Sequence, residues 1–408
     1  MNPNIAANQQ RLFLAFLGEL RPHLRKDSSL PRRIKEIFAR NRAIGSRDRK
    51  LYRELVYTAL RFLPWIEPLL DKSPETAAKI TAWLAPELKP TSQYRAAHCG
   101  DWPPVPESLA QKAAFLGSQV PDLHFQVSDL LPSWFREHCP AAFEPPHLDA
   151  INSRANVWVR IQCNDRNLVL DEFRGQNWAF TVPGDFPDAL CLPPNAEVAN
   201  SDAYRRGFVE IQDLGSQMVL ALAPIAPGGR WFDACAGAGG KTLQLARLIG
   251  PTGHVDATDI RVEILDELDD RAKRARLTNI SIVRQAAGPY DGVLVDAPCS
   301  GSGTWRRQPH LKWYVKPETI AAFTRTQLEI LAANAPRVKP GGLLIYATCS
   351  LSHHENRDVV AAFLSAHADY KAEVPAKDYG ATFDGLGASL LPGTHNTDGF
   401  YVALLRKK

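Results

Sequence analysis

Apolar residues recur at helical spacing over residues 8–90. Between Ser46 and Arg61, Leu51, Leu55 and Ala59 fall on one stripe that continues to Phe62, and Ser46 is placed to cap the helix. Prolines follow at 64, 68 and 74, then at 86, 90, 103, 104, 106, 121, 132, 140, 145 and 146, a spacing that predicts short helices joined by loops. The pattern changes near residue 155. Asn156-Val157-Trp158-Val159-Arg160-Ile161-Gln162-Cys163 alternates apolar and polar with period two, which predicts a half-buried strand, and short runs of this kind continue to Ile211.

From about residue 213 the chain alternates strand and helix. Strands are predicted over 230–234, 253–258, 280–284, 291–296, 342–348 and 399–405, and helices over 215–223, 240–249, 261–276, 317–338 and 354–367. Such alternation predicts a mostly parallel, Rossmann-like sheet with helices on both faces. The chain then divides into a helical region over 1–150, a small α+β domain over 151–212 and an α/β domain over 213–408. Ligands of such sheets bind beyond the carboxyl ends of the strands. Asp233, Asp259, Asp296 and Cys349 all fall at or just past such ends.

Composition narrows the class. Across 408 residues, 45% are hydrophobic and 23% charged, as in a globular protein with a sizeable core. No apolar run reaches membrane-spanning length, and the first residues do not read as a secretory signal, so a cytoplasmic location is expected. The seven cysteines contain no Cys-x-x-Cys pair, so reduced thiols and no zinc site are expected. Net charge is +4 but uneven: residues 1–61 hold 14 Lys/Arg against 5 Asp/Glu. A basic end on a near-neutral chain suits a polyanion partner. Nothing in the sequence demands more than a monomer.

Three motifs carry the candidate chemistry. In Phe232-Asp233-Ala234-Cys235-Ala236-Gly237-Ala238-Gly239-Gly240-Lys241-Thr242, glycines let the backbone pass close to a ligand at a helix start. Cys235 stands where a phosphate loop needs its first glycine, and the third glycine of a dinucleotide fingerprint is missing. With Asp259 available to two ribose hydroxyls, the turn indicates an adenosine-containing cofactor without requiring phosphates. In Asp296-Ala297-Pro298-Cys299-Ser300-Gly301-Ser302-Gly303, small side chains leave room for a flat ligand and Pro298 aims Cys299. Finally, a Pro340-Gly341-Gly342 turn is expected to feed a buried strand that ends at Cys349. If that strand neighbours the one ending at Asp296, the two thiols face one cavity.

Residues 205–408 resemble the RNA 5-methylcytosine methyltransferase family, the NOL1/NOP2/Sun group. The likeness rests on Gly207-Phe208-Val209-Glu210-Ile211-Gln212-Asp213, the glycine turn, Asp296-Ala297-Pro298-Cys299-Ser300-Gly301, Arg306-Arg307-Gln308-Pro309, Thr348-Cys349-Ser350, Glu355-Asn356 and Asp398-Gly399-Phe400, in the family's order. The strand-rich piece is similar to the family's small RNA-recognition-like domain. Asp48-Arg49, Glu54-Leu55-Val56-Tyr57 and Leu60-Arg61 resemble the helical N-terminal domain of RsmB-like members.

The resemblance implies methyl transfer from S-adenosylmethionine to carbon 5 of an RNA cytosine. Cys349 is then the nucleophile at carbon 6, Cys299 helps to release the product, and Asp296 hydrogen-bonds the cytosine, the cofactor or both. The implied cofactor site comprises Asp233, Cys235, Ala236, Gly237, Ala238, Gly239, Gly240, Lys241, Asp259, Arg261, Gln285 and Asp296. Gln285 stands where the family usually carries an acid near the adenine. Ribosomal RNA is the expected substrate and transfer RNA the runner-up. Two other classes remain: an RNA-binding ribosome-assembly factor without catalysis, and a DNA cytosine methyltransferase, which attacks with the Pro-Cys cysteine.

Two further signals are of lower weight. His353-His354-Glu355 is reminiscent of a metal cluster, but adjacent histidines at a helix start are expected to diverge, so no metal is expected. Arg306, Arg307, Lys312 and Lys316, interleaved with Trp305, Trp313 and Tyr314, suit phosphate contacts and base stacking, or an ordinary amphipathic surface. The tryptophans before residue 150 are expected in the core.

Overall fold

The computed structural model describes residues 2–41 and 44–408; Arg42 and Ala43 of the predicted helical stretch lie outside them. The chain forms two compact units, Met1–Arg154 with Trp305–Lys316, and Ala155–Thr304 with Pro317–Lys408. No described helix is long and apolar enough to cross a membrane.

The first unit is helical. Its leading helices are α1 (Pro3–Leu20), α2 (Leu30–Arg40) and α3 (Ser46–Arg61). Pro3 suits the first turn of α1, where its missing N–H costs nothing, and the Asn2 side chain accepts from the Asn4 N–H. The predicted α3 stripe is buried: Leu51, Leu55, Ala59 and Phe62 are each at most 3% exposed. Ser46 is the first helical residue rather than the cap; Gly45, held in extended backbone, takes the capping position. Trp65 and Trp83 lie in the core, as expected, but Trp102 and Trp134 are only half-buried.

The segment Trp305–Lys316 belongs to this helical unit. That corrects both expectations for its basic and aromatic residues, a nucleic-acid face or an ordinary amphipathic surface, since several of them are buried. Trp305 is fully buried, its ring 4.6 Å from that of Phe135. Arg306 is 1% exposed and Lys312 not at all. The Lys312 ammonium donates to the carbonyls of Arg61 (2.8 Å) and Leu130 (3.1 Å) and to Asn152 Oδ1 (2.6 Å). Trp313 Nε1 donates to the Leu60 carbonyl at 2.7 Å. A buried cation needs this many acceptors, because burial pushes its pKa well below the ordinary value. Only Arg307 and Lys316 of the four basic residues reach the surface.

The second unit contains two sheets. In the smaller, β1 (Val157–Ile161) pairs antiparallel with both β2 (Ala189–Leu192) and β3 (Val209–Ile211). Val159, Ile161, Leu190 and Val209 pack with Val169, Leu170 and Phe173 of the helix Asn167–Gly175.

The larger sheet comprises β4 (Arg230–Asp233), β5 (His254–Ala257), β6 (Ile280–Ile282), β7 (Tyr290–Asp296), β8 (Val338–Thr348), β9 (Tyr370–Glu373), β10 (Thr382–Phe383), β11 (Ala388–Leu390) and β12 (Phe400–Lys407). Their order is β10-β11-β12-β8-β7-β4-β5-β6, with β9 also paired to β12. Strands β4 to β8 are parallel, and β12 runs antiparallel beside β8. The order reverses at β4, with β5 on one side and β7 on the other, which opens a crevice at their carboxyl ends.

Several predicted boundaries shift for local reasons. The helix expected over 317–338 ends at Asn334, and Pro336 sits in the tight turn that follows. Pro340-Gly341-Gly342 is not a turn ahead of a strand but part of β8 itself. The pairing passes from Tyr290–Val338 to Gly292–Leu343, so β8 bulges there, and Gly341 at φ +73° supplies the left-handed residue. Strands β9, β10 and β11 had no counterpart in the hydropathy pattern, being short and partly exposed.

Candidate active site

Sheet register builds the site. Asp296 pairs with Ala347, so β7 and β8 end side by side, and the loops leaving them carry Cys299 and Cys349. Their sulfurs lie 3.3 Å apart, within hydrogen-bonding distance. Both cysteines are free and half-buried. The expectation that these strands are neighbours therefore holds. The Cys299 thiol is pushed well above its ordinary pKa, first by its hydrogen bond with Cys349, then by burial, then by the charges of Cys349 and Glu355.

A buried carboxylate ties the two loops together. Glu355 is fully buried; Oε1 accepts from the Ser300 N–H (2.8 Å) and Gln327 Nε2 (3.1 Å), and Oε2 from the hydroxyls of Ser300 and Ser350. Ser300 follows Cys299 and Ser350 follows Cys349, so one side chain spaces both thiols. Gln327 Nε2 also donates to the Pro298 carbonyl at 2.9 Å. Asn356 accepts from the Thr348 hydroxyl and donates to the Ser350 carbonyl. Gly303 closes the arrangement: its N–H meets the Cys349 carbonyl at 2.9 Å, and a Cβ there would lie 2.0 Å from the Gly399 oxygen. The motif order displays Glu355-Asn356, but only long-range contacts show what the pair does.

The cofactor candidates cluster at the ends of β4 and β5. Asp233 is fully buried beneath the glycine turn rather than on its open side. It accepts from the Thr242 hydroxyl (2.7 Å) and the Cys235 N–H (3.3 Å). Burial pushes its carboxyl up to about 7. Gly237 and Gly239 both take positive φ, +51° and +88°. A Cβ on Gly239 would come within 2.8 Å of Leu243 and Leu268, so the turn needs glycine there. The Ala238 carbonyl is held by Arg271, which also bonds Glu210 of β3. Ala236 is buried, and Gly240 begins the helix Gly240–Ile249. Burial drives the Cys235 thiol far up, so it is an inert wall.

Asp259 holds the turn from the other side. It accepts from the Gly237 N–H at 2.8 Å and from Arg261 Nε at 3.1 Å. The Arg261 side chain is 59% exposed, and its backbone N–H also donates to Asp259, at 2.9 Å. Lys241 Nζ reaches Asp296 at 2.8 Å and lies over the Phe400 ring at 4.9 Å, which joins the glycine turn to the cysteine loops. Gln285 is exposed in the loop after β6. Ile260, between Asp259 and Arg261, is 97% exposed, an apolar side chain that nothing in the fold covers. It was missed in the sequence; its signal is an apolar residue where a strand has just ended. Glycine backbone, a ribose-ready carboxylate and an uncovered apolar face fit an adenosine-containing group.

His353 and His354 do not diverge as expected. Their rings are 4.1 Å apart and both Nδ1 atoms reach Asp358, at 3.1 and 2.9 Å. The cause is that they occupy a turn ahead of the helix Arg357–Ala366, whose first turn presents Asp358.

Residues 219–406 match the model of the family described as 16S rRNA methyltransferase RsmB/F. The chain is 29% identical to ribosomal RNA small subunit methyltransferase B of Vibrio vulnificus over 90% of its own length and 93% of the relative's. It is 34% identical to the protein of that name from Xylella fastidiosa, covering 68% and 67%. The crystal structure of NSun6 from Pyrococcus horikoshii with the S-adenosylmethionine analogue SFG has the same fold at a TM-score of 0.61, with 17% identity, and covers 67% of this chain and 97% of that one. The chain belongs to the RsmB/F family of 16S rRNA methyltransferases and is an S-adenosylmethionine-dependent RNA methyltransferase.

Proposed function

We propose that this protein methylates carbon 5 of a cytosine in small-subunit ribosomal RNA through a covalent Cys349 adduct. The observation that carries the reading is the pair of sulfurs 3.3 Å apart at the ends of β7 and β8. Carbon 5 of cytosine is a poor nucleophile until a thiolate adds at carbon 6. In the proposed sequence the Cys349 thiolate adds at carbon 6, the carbon 5–carbon 6 bond becomes single, and its π pair shifts toward carbon 4 to leave a negatively charged enamine that is nucleophilic at carbon 5. S-adenosylmethionine supplies the methyl group to carbon 5. Cys299 then gives its resting proton to water and takes the carbon 5 proton in its place, the carbon 5–carbon 6 double bond re-forms, and the carbon 6–sulfur bond breaks to return Cys349 as thiolate and Cys299 as thiol.

The causes of the raised Cys299 pKa explain the order of events. At rest the hydrogen bond with Cys349, burial, and the charges of Cys349 and Glu355 together favour the proton on Cys299. Once Cys349 is a thioether, it carries no charge and is a weak acceptor. Two of the supports for the Cys299 proton are then gone, and Cys299 becomes a base when one is required.

Asp296, fixed by Lys241, accepts from the cytosine amino group. Asp259 would hold the cofactor's ribose hydroxyls, the turn Gly237–Gly240 its amino-acid portion, and Ile260 and Gln285 its adenine. The target base must be unpaired or flipped to reach the thiols. The helical and small-sheet regions hold the RNA largely through phosphates. The reading places the protein in the cytoplasm, acting as a monomer.

Trapping tests it. Cys299→Ala is expected to accumulate a denaturation-resistant protein–RNA adduct when S-adenosylmethionine is present, and Cys349→Ala to form none. Reversed dependence would overturn the assignment in favour of attack by the Pro-Cys cysteine. No adduct and no cofactor binding in any variant would leave an RNA-binding assembly factor.

A further inference from the structure

The helical unit carries a cavity of about 300 Å³ that the proposed chemistry does not use. Its walls are Arg53, Tyr57 and Arg61 of α3, Arg154 at the end of the unit's first segment, and Arg306 and Arg307 of the returning segment, with Glu54 as the only acid. Five guanidinium groups thus share one lining with a single carboxylate, and Glu54 is already paired with Arg154 at 3.1 Å. The site is built rather than a surface accident. Arg61 is 4% exposed and Arg306 1%, and the Arg61 guanidinium donates to the Arg306 carbonyl at 3.1 Å. Arg61 Nε has no partner among the described residues. Burial, with the charges of Arg154 and Arg306 adding to it, pushes Arg61 down to about 10. Crowded like charges of this kind are relieved by a bound anion.

A second cavity of about 220 Å³ shares Arg53 and Tyr57 with the first. It adds Lys35, Arg49 and Lys50 and no acid. Two adjoining basic hollows joined by one arginine form a track, which suits the repeating charge of a nucleic-acid backbone. Guanidinium forks match phosphate oxygens two at a time.

We propose that the arginine cavity is a phosphate-binding subsite for the RNA substrate, with the neighbouring hollow taking the next stretch of the same backbone. The proposal rests on the reading of this protein as an RNA-modifying enzyme. It gives the segment Trp305–Lys316 a second task besides packing. That segment begins a few residues after Cys299 in the chain, so the stretch of chain leaving β7 carries a thiol first and then two arginines for RNA capture.

The test uses the full chain, a small-subunit ribosomal RNA transcript, and the variants Arg307→Ala, Arg53→Ala with Arg307→Ala, and Arg307→Lys. Arg53 is exposed and Arg307 half-buried, so these replacements leave the buried arginines in place. Binding is measured over a range of salt. Each lost arginine is expected to reduce the slope of log K against log salt by about 1 and to weaken binding about tenfold, while Arg307→Lys keeps the slope. Affinity for S-adenosylhomocysteine is expected to stay unchanged. An unaltered slope and affinity in the double variant would overturn the subsite and point to an acidic protein partner instead. Adduct formation by the wild type is read separately. A chain that forms no adduct but loses slope refutes the catalytic reading alone, and one that forms adduct with an unaltered slope refutes the subsite alone.

Discussion

At the residue scale the site depends on which protons are held where. Cys299 owes its raised pKa first to Cys349, so removing that partner lowers it. In Cys349→Ala, alkylation of Cys299 by iodoacetamide at mildly alkaline pH is expected to run several-fold faster than in the wild type. Peptide mapping of the labelled thiol checks this, and equal rates would count against the coupling.

Asp233 gives a pH dependence of definite sign. Its folded value of about 7 lies above the ordinary 3.8 because the group is buried. Between those values the folded chain holds a proton that the unfolded chain has lost, so this contribution is full below 3.8 and disappears as pH rises through about 7. Relative to Asp233→Asn, the wild type is expected to lose up to ~4 kcal/mol of stability across that window. Urea unfolding of both proteins at pH 5 and pH 8 captures about 2.7 kcal/mol of this loss, and parallel changes would refute the assignment.

At the element scale, what matters is how two loops are kept in step. The strand ends of β7 and β8 fix where Cys299 and Cys349 leave the sheet, while Glu355 fixes their spacing beyond it through Ser300 and Ser350. Glu355→Ala is expected to reduce methyl transfer about 10²-fold, since misplacement of a reacting group by an ångström costs that much. Its affinity for S-adenosylhomocysteine should change little, because the Gly237–Asp259 contact lies apart from the clamp. Turnover and calorimetric binding on one preparation separate the two effects. The strands were legible in advance because each is a short buried run with a charged or glycine-rich end. The β8 bulge was not, because Pro340-Gly341-Gly342 satisfies a turn and a bulge equally well and only the pairing with β7 distinguishes them.

At the scale of the whole molecule, the chain leaves its catalytic half after Thr304 and returns at Pro317, and the intervening segment completes the helical unit. Lys312 anchors it through three buried acceptors. Lys312→Met keeps the apolar stem and removes the donors, and is expected to destabilise the helical unit by about 3 kcal/mol or more. Hydrogen exchange should rise across α1–α3 and stay constant in β4, β5 and β7. Uniform protection in the variant would show that the ammonium holds nothing. This fate of Lys312 was not readable in advance, since a lysine between aromatics looks the same in a nucleic-acid surface and in a core with acceptors waiting.

The sequence by itself determined the candidate reacting groups and their place at strand ends. Those depend on neighbours in the chain: Asp233 before its glycines, Pro298 before Cys299, Thr348 before Cys349. It also determined the family, whose motifs are local strings of the same kind. Only the tertiary structure decided that the two sulfurs stand 3.3 Å apart, that Asp233 lies under the turn, that Glu355 clamps both loops and that Arg306 and Lys312 are buried while Arg307 is not. Each of these depends on residues tens to hundreds of positions apart, brought together by strand register and by the pairing of buried polar groups. No local pattern carries that information.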